Sequence, residues 1–185
     1  MKYFKKIVGP RLYLSPINIE DAPIYTKWLN DPKIAAHLGV FSKMISLSAE
    51  KKGLEQRAEE GHNYSIVLKD GDQLLGNISL MEVDHLNRRA TLGIFIGELE
   101  NHGKGYGLEA IRLLLEYGFS VLNLRNVMLL VHSDNHAAIS CYKKAGFSEI
   151  GRRRASHSQN GGSVDVVYMD ILDCDFYADK KETVL

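Results

Sequence analysis

The segment His102-Gly103-Lys104-Gly105-Tyr106-Gly107-Leu108-Glu109-Ala110 follows an apolar strand-like run, Leu92-Gly93-Ile94-Phe95-Ile96-Gly97, and opens into an amphipathic helical pattern. Residues of these types in this order can hold an anion. Glycines at alternate positions let the backbone turn with its N–H groups inward, and the next helix adds unpaired donors and the positive end of its dipole. A phosphate or pyrophosphate suits such a cradle, although a plain strand-to-helix turn also favours glycine, so the loop alone leaves both readings open. A P-loop requires Gly-x-x-x-x-Gly-Lys-Ser/Thr, whereas Lys104 is followed by Gly105-Tyr106. A dinucleotide fingerprint requires Gly-x-Gly-x-x-Gly with an acidic residue at the end of the next strand; here the glycine spacing differs, and that strand ends in His132-Ser133-Asp134 after a long helix.

The elements that position this loop follow an α/β order. Arg11 to Ile17 reads as a first strand, and Glu20-Asp21 opens a helix that Asn30-Asp31-Pro32 stops. Pro32 to Leu38 and Ser48 to Glu60 read as two further helices. Tyr64 to Leu68, Gln73 to Met81 and Ala90 to Gly97 read as strands, the first two joined through Asp70-Gly71 as a hairpin. A helix from Tyr106 to Leu122 places Leu108, Ile111, Leu114, Leu115, Phe119 and Leu122 on one face. Asn126 to His132 is almost continuously apolar, as in a strand covered on both faces. Ser133-Asp134-Asn135 supplies an N-cap for a helix from His136 to Lys144, which Ala145-Gly146 ends. Phe147 to Arg153 and Val164 to Leu172 are the closing strands, and Asn160-Gly161-Gly162 suits the turn of a hairpin between them.

The chain has 185 residues, within the range of one domain. Its 23 basic and 23 acidic side chains cancel, which gives no overall field for nucleic acid or an anionic membrane surface and favours a small-molecule partner. Cys141 and Cys174 form neither a disulfide framework nor a zinc ribbon, and the seven histidines lack metal-ligand spacing, so no metal is expected. Met1 to Lys6 leads into Gly9-Pro10 rather than an apolar run, and no window approaches the roughly 20 apolar residues of a membrane span. A cytoplasmic protein is the expectation.

Two blocks at this separation resemble the GNAT superfamily of acetyl-CoA-dependent N-acetyltransferases. The family loop Arg/Gln-x-x-Gly-x-Gly/Ala is met from His102 to Gly107 with histidine leading, and Asn-x-x-Ala-x-x-x-Tyr-x-Lys-x-Gly-Phe is met at Asn135, Ala138, Tyr142, Lys144, Gly146 and Phe147. The run Tyr117 to Leu124 and the Asn160-Gly161-Gly162 hairpin resemble the branch holding spermidine and ribosomal-protein N-terminal acetyltransferases. The resemblance spans Tyr64 to Leu172 and implies a mixed, mostly antiparallel twisted sheet of about seven strands with helices on both faces. The chain length gives one such domain over residues 1–185, and the charged composition near its end gives 173–185 as a C-terminal tail. Relatives of this length are often dimers or larger, so a homodimer with a contact near Asn160-Gly161-Gly162 is a further expectation.

The implied activity is direct acetyl transfer from acetyl-CoA to a small amine, such as a polyamine, or to a protein N-terminus. By resemblance, His102, Gly103, Lys104, Gly105, Tyr106 and Gly107 hold the pyrophosphate, and the backbone of Ile94, Phe95 and Ile96 pairs with the pantetheine arm. The same family supplies the role of Tyr142, whose phenol donates a proton to the departing thiolate, with aromatic packing beside Phe147 as the competing reading. Asn135 lies nearly two helical turns before Tyr142, so both can face the cofactor; Asn135 is also a cap. Cys141 projects about 100° away from Tyr142, which favours direct transfer over an acyl-cysteine. Relatives carry a glutamate base where this chain has Thr91; Glu82, Asp84, His85 or a water chain are the substitutes. That departure motivates the alternative of a CoA-binding regulatory or scaffold module without turnover.

Overall fold

Apolar alternation in short β-branched and aromatic runs builds one sheet, and the longer 3.6-residue patterns build the helices around it. The computed structural model describes residues 2–38, 42–159 and 162–182. Its strands are β1 (Ile7–Val8), β2 (Leu12–Pro16), β3 (Asn63–Leu68), β4 (Leu74–Asp84), β5 (Arg89–Ile96), β6 (Asn126–His132), β7 (Ser148–Gln159) and β8 (Gly162–Leu172). They are ordered β1-β2-β3-β4-β5-β6-β8-β7. The helices are α1 (Ala22–Asn30), α2 (Pro32–Ala35), α3 (Leu47–Glu59), α4 (Tyr106–Ser120), α5 (His136–Ala145) and α6 (Asp173–Glu182). β5 runs parallel to β6 through Arg89–Thr91 opposite Asn126–Met128, while β1–β2, β2–β3, β3–β4, β6–β8 and β7–β8 pair antiparallel.

The mixed, mostly antiparallel sheet is the expected one; its eight strands among the described residues include the short β1, because Ile7 and Val8, too few to show a period, pair with Leu14 and Tyr13. Three other expectations need correction. The expected tail is helix α6, seated by Phe176, which is buried with its ring 5.4 Å from that of Phe119. Two adjacent aromatics, Phe176 and Tyr177, do this work in an otherwise charged segment, so no helical periodicity announces it. β6 is not covered on both faces: Val127, Leu129 and Val131 are buried, whereas Leu130 between them is 48% exposed. β7 continues past Arg153 to Gln159 by taking up register shifts after Glu149 and Arg153; between the latter and His157, Ala155 turns to φ +48 and its N–H donates to Asp165. The expected turn residues Asn160 and Gly161 lie outside the described residues.

Contacts divide the chain into two compact units, Met1–Leu80 with Gly93–Leu114, and Met81–Leu92 with Leu115–Leu185. In the first, Tyr13, Tyr25, Trp28, Leu54 and Val67 are core residues, and Asp31 and Ser46 cap α2 and α3 through the amides of Lys33 and Ala49. Asp21 is fully buried there, where its Oδ1 accepts from Tyr3 Oη at 3.1 Å and pairs with Lys2 Nζ at 2.6 Å. In the second, the alternate residues Val127, Leu129 and Val131 of β6 and Val167, Met169 and Ile171 of β8 are buried. Gly146 ends α5 at φ +104, and its N–H and that of Phe147 close back on the carbonyls of Lys143 and Tyr142.

Candidate functional site

In the first unit, Gly103 and Gly105 adopt φ +72 and +80, a left-handed backbone that side chains resist. Gly107 is the second residue of α4 and carries no such requirement, so two of the three loop glycines make the turn. Helix geometry leaves the amides of the first turn of α4 without intrahelical acceptors, and they belong to the same short stretch as the exposed Lys104. An anion is the chemistry such a terminus receives.

Arg11, just ahead of β2, braces this loop, a role the sequence pattern does not announce. Its Nη1 donates to the Lys104 carbonyl at 2.9 Å, its guanidinium lies 4.9 Å from the Tyr106 ring centroid, and its Nε donates to Glu109 Oε2 at 2.7 Å. The amides of Arg11 and Leu12 donate to Glu109 Oε1 at 2.8 and 3.2 Å. Burial pushes the Glu109 carboxyl up, but the Arg11 amide and guanidinium and the Leu12 amide outweigh it and hold the group below its ordinary value. Glu109 is an acid of the first turn, which the helix dipole favours by itself, so nothing local in the sequence names Arg11 as its partner.

His102 also acts through its side chain. Its Nε2 lies 3.0 Å from the Ile96 carbonyl, an acceptor, so this nitrogen carries the hydrogen and the imidazole ties the loop to the end of β5. Ile94, Phe95 and Ile96 are all half-buried, and their backbone falls outside the β5–β6 ladder, which involves Arg89 to Thr91. The Phe95 ring packs edge-on to Tyr25 and Trp28, with centroids 5.9 and 6.1 Å away. Gly97, next along, lies so close beneath Trp28 that a Cβ would stand 2.2 Å from the indole. Glu98 fixes that indole: its Oε1 accepts from Trp28 Nε1 at 2.9 Å and from Lys27 Nζ at 2.8 Å, and the two donors, Lys27 foremost, hold its carboxyl below the ordinary value.

In the second unit, Asn135 caps α5, with Oδ1 accepting from the Ala138 amide at 3.2 Å. Tyr142 projects from the same helix and is buried, its ring edge-on to Phe147 at 6.0 Å. The ring therefore packs against Phe147, as one of the two sequence readings of Tyr142 expects. Burial, with a smaller contribution from Cys141, pushes the phenol up to about 12. It stays protonated across the neutral range. Cys141 is half-buried on the neighbouring position.

The acids and the histidine around β4 and β5 separate by what they already hold. Asp84 accepts from the Asn87 amide at 2.9 Å and from Asn87 Nδ2 at 2.7 Å, which, with Arg89 nearby, lowers its carboxyl and commits it to the β4–β5 turn. His85 is exposed in that turn. Glu82 accepts from Thr91 Oγ1 at 3.1 Å, so a carboxylate stands against the very threonine that takes the place of the expected acid.

A family model described as an acetyltransferase (GNAT) domain matches residues 11–148. The spermidine N(1)-acetyltransferase of Escherichia coli strain K12 is 36% identical over 123 residues, which cover 66% of this chain and 65% of that protein. An N-acetyltransferase called p20 from Bacillus licheniformis is 28% identical over 167 residues, 88% of this chain and 93% of its own. Among solved structures, the Vibrio cholerae spermidine N-acetyltransferase in complex with CoA and spermine superposes with a TM-score of 0.80 at 26% identity, covering 91% of this chain and 99% of that one.

Proposed function

The chain belongs to the GNAT acetyltransferase family, and from that premise we propose that it moves the acetyl group of acetyl-CoA directly onto a primary amine of a polyamine. The observation that carries the reading is the left-handed Gly103–Gly105 turn leading into α4 under the Arg11 brace, which presents main-chain donors to a pyrophosphate. The likeness to two enzymes named for spermidine supports the acceptor class. In this reading the β5 backbone from Ile94 to Ile96 pairs with the pantetheine arm as an added strand would. Tyr142 gives its proton to the thiolate, and its high pKa keeps that proton available throughout the working pH range.

The test is release of free CoA thiol, with product mass, over a panel of spermidine, spermine and a peptide with a free N-terminus. Acetylated polyamine is the expected product. Acetylation of the peptide alone would replace the polyamine assignment with a protein N-terminus, and acetyl-CoA binding without turnover on any amine would return the chain to a binding module.

The Arg11 brace makes a prediction of its own. Arg11→Met removes one carbonyl hydrogen bond and one cation–π contact from the loop, together worth about 1–2 kcal/mol. Acetyl-CoA affinity by calorimetry is expected to weaken roughly tenfold. Because the Glu109 carboxyl is lowered in the fold, its ion pair with Arg11 is complete above the ordinary carboxylate pKa and is lost as pH falls through the lowered value.

A further inference from the structure

Glu82 is the one acid of the β4–β5 hairpin whose geometry is otherwise unexplained. It sits inside a strand at φ +52, a left-handed conformation that a glutamate seldom adopts, and such outliers persist where the surroundings impose them. The side chain is exposed, and Thr91 Oγ1 donates to its Oε2. No other donor among the described residues takes its Oε1. Thr91 can hold this carboxylate in one orientation but cannot itself accept a proton at neutral pH. Asp84 already accepts two hydrogen bonds from Asn87 and is lowered, which leaves it a poor proton acceptor.

We propose that Glu82 is the general base of the reaction, reaching from β4 to the place that Thr91 occupies on β5, with Thr91 as its positioning residue. This rests on the amine-acetylating reading given above. The acceptor arrives as an ammonium and gives one proton to the Glu82 carboxylate, directly or through one water. Its nitrogen lone pair then forms the N–C bond as the C–S bond breaks. As the amide forms, the second nitrogen proton passes through water to the Tyr142 phenolate left when the phenol protonates the sulfur, and the carboxylic acid of Glu82 returns its proton to solvent.

Glu82→Gln keeps the size of the side chain and an oxygen for Thr91 while abolishing proton acceptance. Single-turnover transfer to a polyamine near neutral pH is expected to fall about 100-fold, with melting and acetyl-CoA affinity unchanged. Two readouts separate this from a cross-strand contact that merely stabilises the sheet. With a hydrazide acceptor, already neutral at that pH, Glu82→Gln should match the parent, since no proton need be removed before attack. In the double variant Glu82→Gln with Thr91→Glu, the carboxylate returns from the opposite strand, and the rate on polyamine should recover at least tenfold. A Glu82→Gln enzyme that transfers at the parent rate overturns the proposal, as does an equal loss on hydrazide and polyamine, or a folded, acetyl-CoA-binding double variant without recovery. The parent is assayed first: a parent that acetylates no amine refutes the amine-acetylating reading itself, whereas a transferring parent with an unaffected variant refutes only the role of Glu82.

Discussion

Tyr142→Phe is expected to slow single-turnover acetyl transfer by about 100-fold to 10,000-fold at saturating acetyl-CoA, with melting and acetyl-CoA affinity near the parent values. The substitution keeps the ring that packs edge-on to Phe147 and removes only the hydroxyl. Stability therefore has little to lose. A buried phenol raised to about 12 is a weak acid, but a thiolate formed in a low-dielectric site is a hungry base, and proton delivery as the C–S bond breaks avoids releasing it as a free anion. The same elevated pKa means that ionisation of Tyr142 produces no loss of rate through the neutral range. Steady-state kcat will understate the effect where product release is slow, so the single-turnover rate is the deciding measurement. Transfer at the parent rate by a folded, acetyl-CoA-binding variant would assign Tyr142 to packing alone and leave the thiolate to water.

Which parts of this molecule could be read from sequence depends on the range of the interactions concerned. The loop, the cap at Asn135 and the stop at Gly146 are local: each is set by residues within one turn of itself, and each stands where the residue types place it. The Arg11–Glu109 brace joins positions 98 apart, and the Trp28–Glu98 bond joins positions 70 apart, so no window of periodicity contains either pair. The same limit hid β1, whose two residues become a strand only through Leu14 and Tyr13. In α6, hydrophobicity is concentrated in Phe176 and Tyr177 rather than spread over a face, and a tertiary contact with Phe119 overrides the charged composition. Thr91 is a different case. The sequence offers Glu82, Asp84 and His85 in place of the acid missing there without separating them, whereas the structure sets Glu82, on the neighbouring strand, in hydrogen-bond contact with Thr91.

Gly105→Val is expected to raise the apparent KM for acetyl-CoA on the order of tenfold to 100-fold, while leaving most of the fold intact. Gly105 stands at φ +80, where a β-branched residue meets a penalty of roughly 1–3 kcal/mol, and its Cβ would come within 3.3 Å of the Arg11 guanidinium. The chain can relieve this strain by abandoning the left-handed turn, which swings the loop amides away from the direction they share with the first turn of α4. It can instead displace Arg11, which strips the Lys104 carbonyl and the Tyr106 ring of their support. Either response costs anion affinity at the helix terminus rather than reactivity at Tyr142, so kcat at saturating acetyl-CoA should change far less than KM. Gly107→Val is the internal control: Gly107 is already helical, where valine is no worse a helix former than glycine, so its replacement adds no backbone strain unless the bound pyrophosphate touches that position directly. Calorimetry with acetyl-CoA on both variants reads the difference. A folded Gly105→Val protein that binds acetyl-CoA as the parent does would remove the left-handed turn from the binding mechanism.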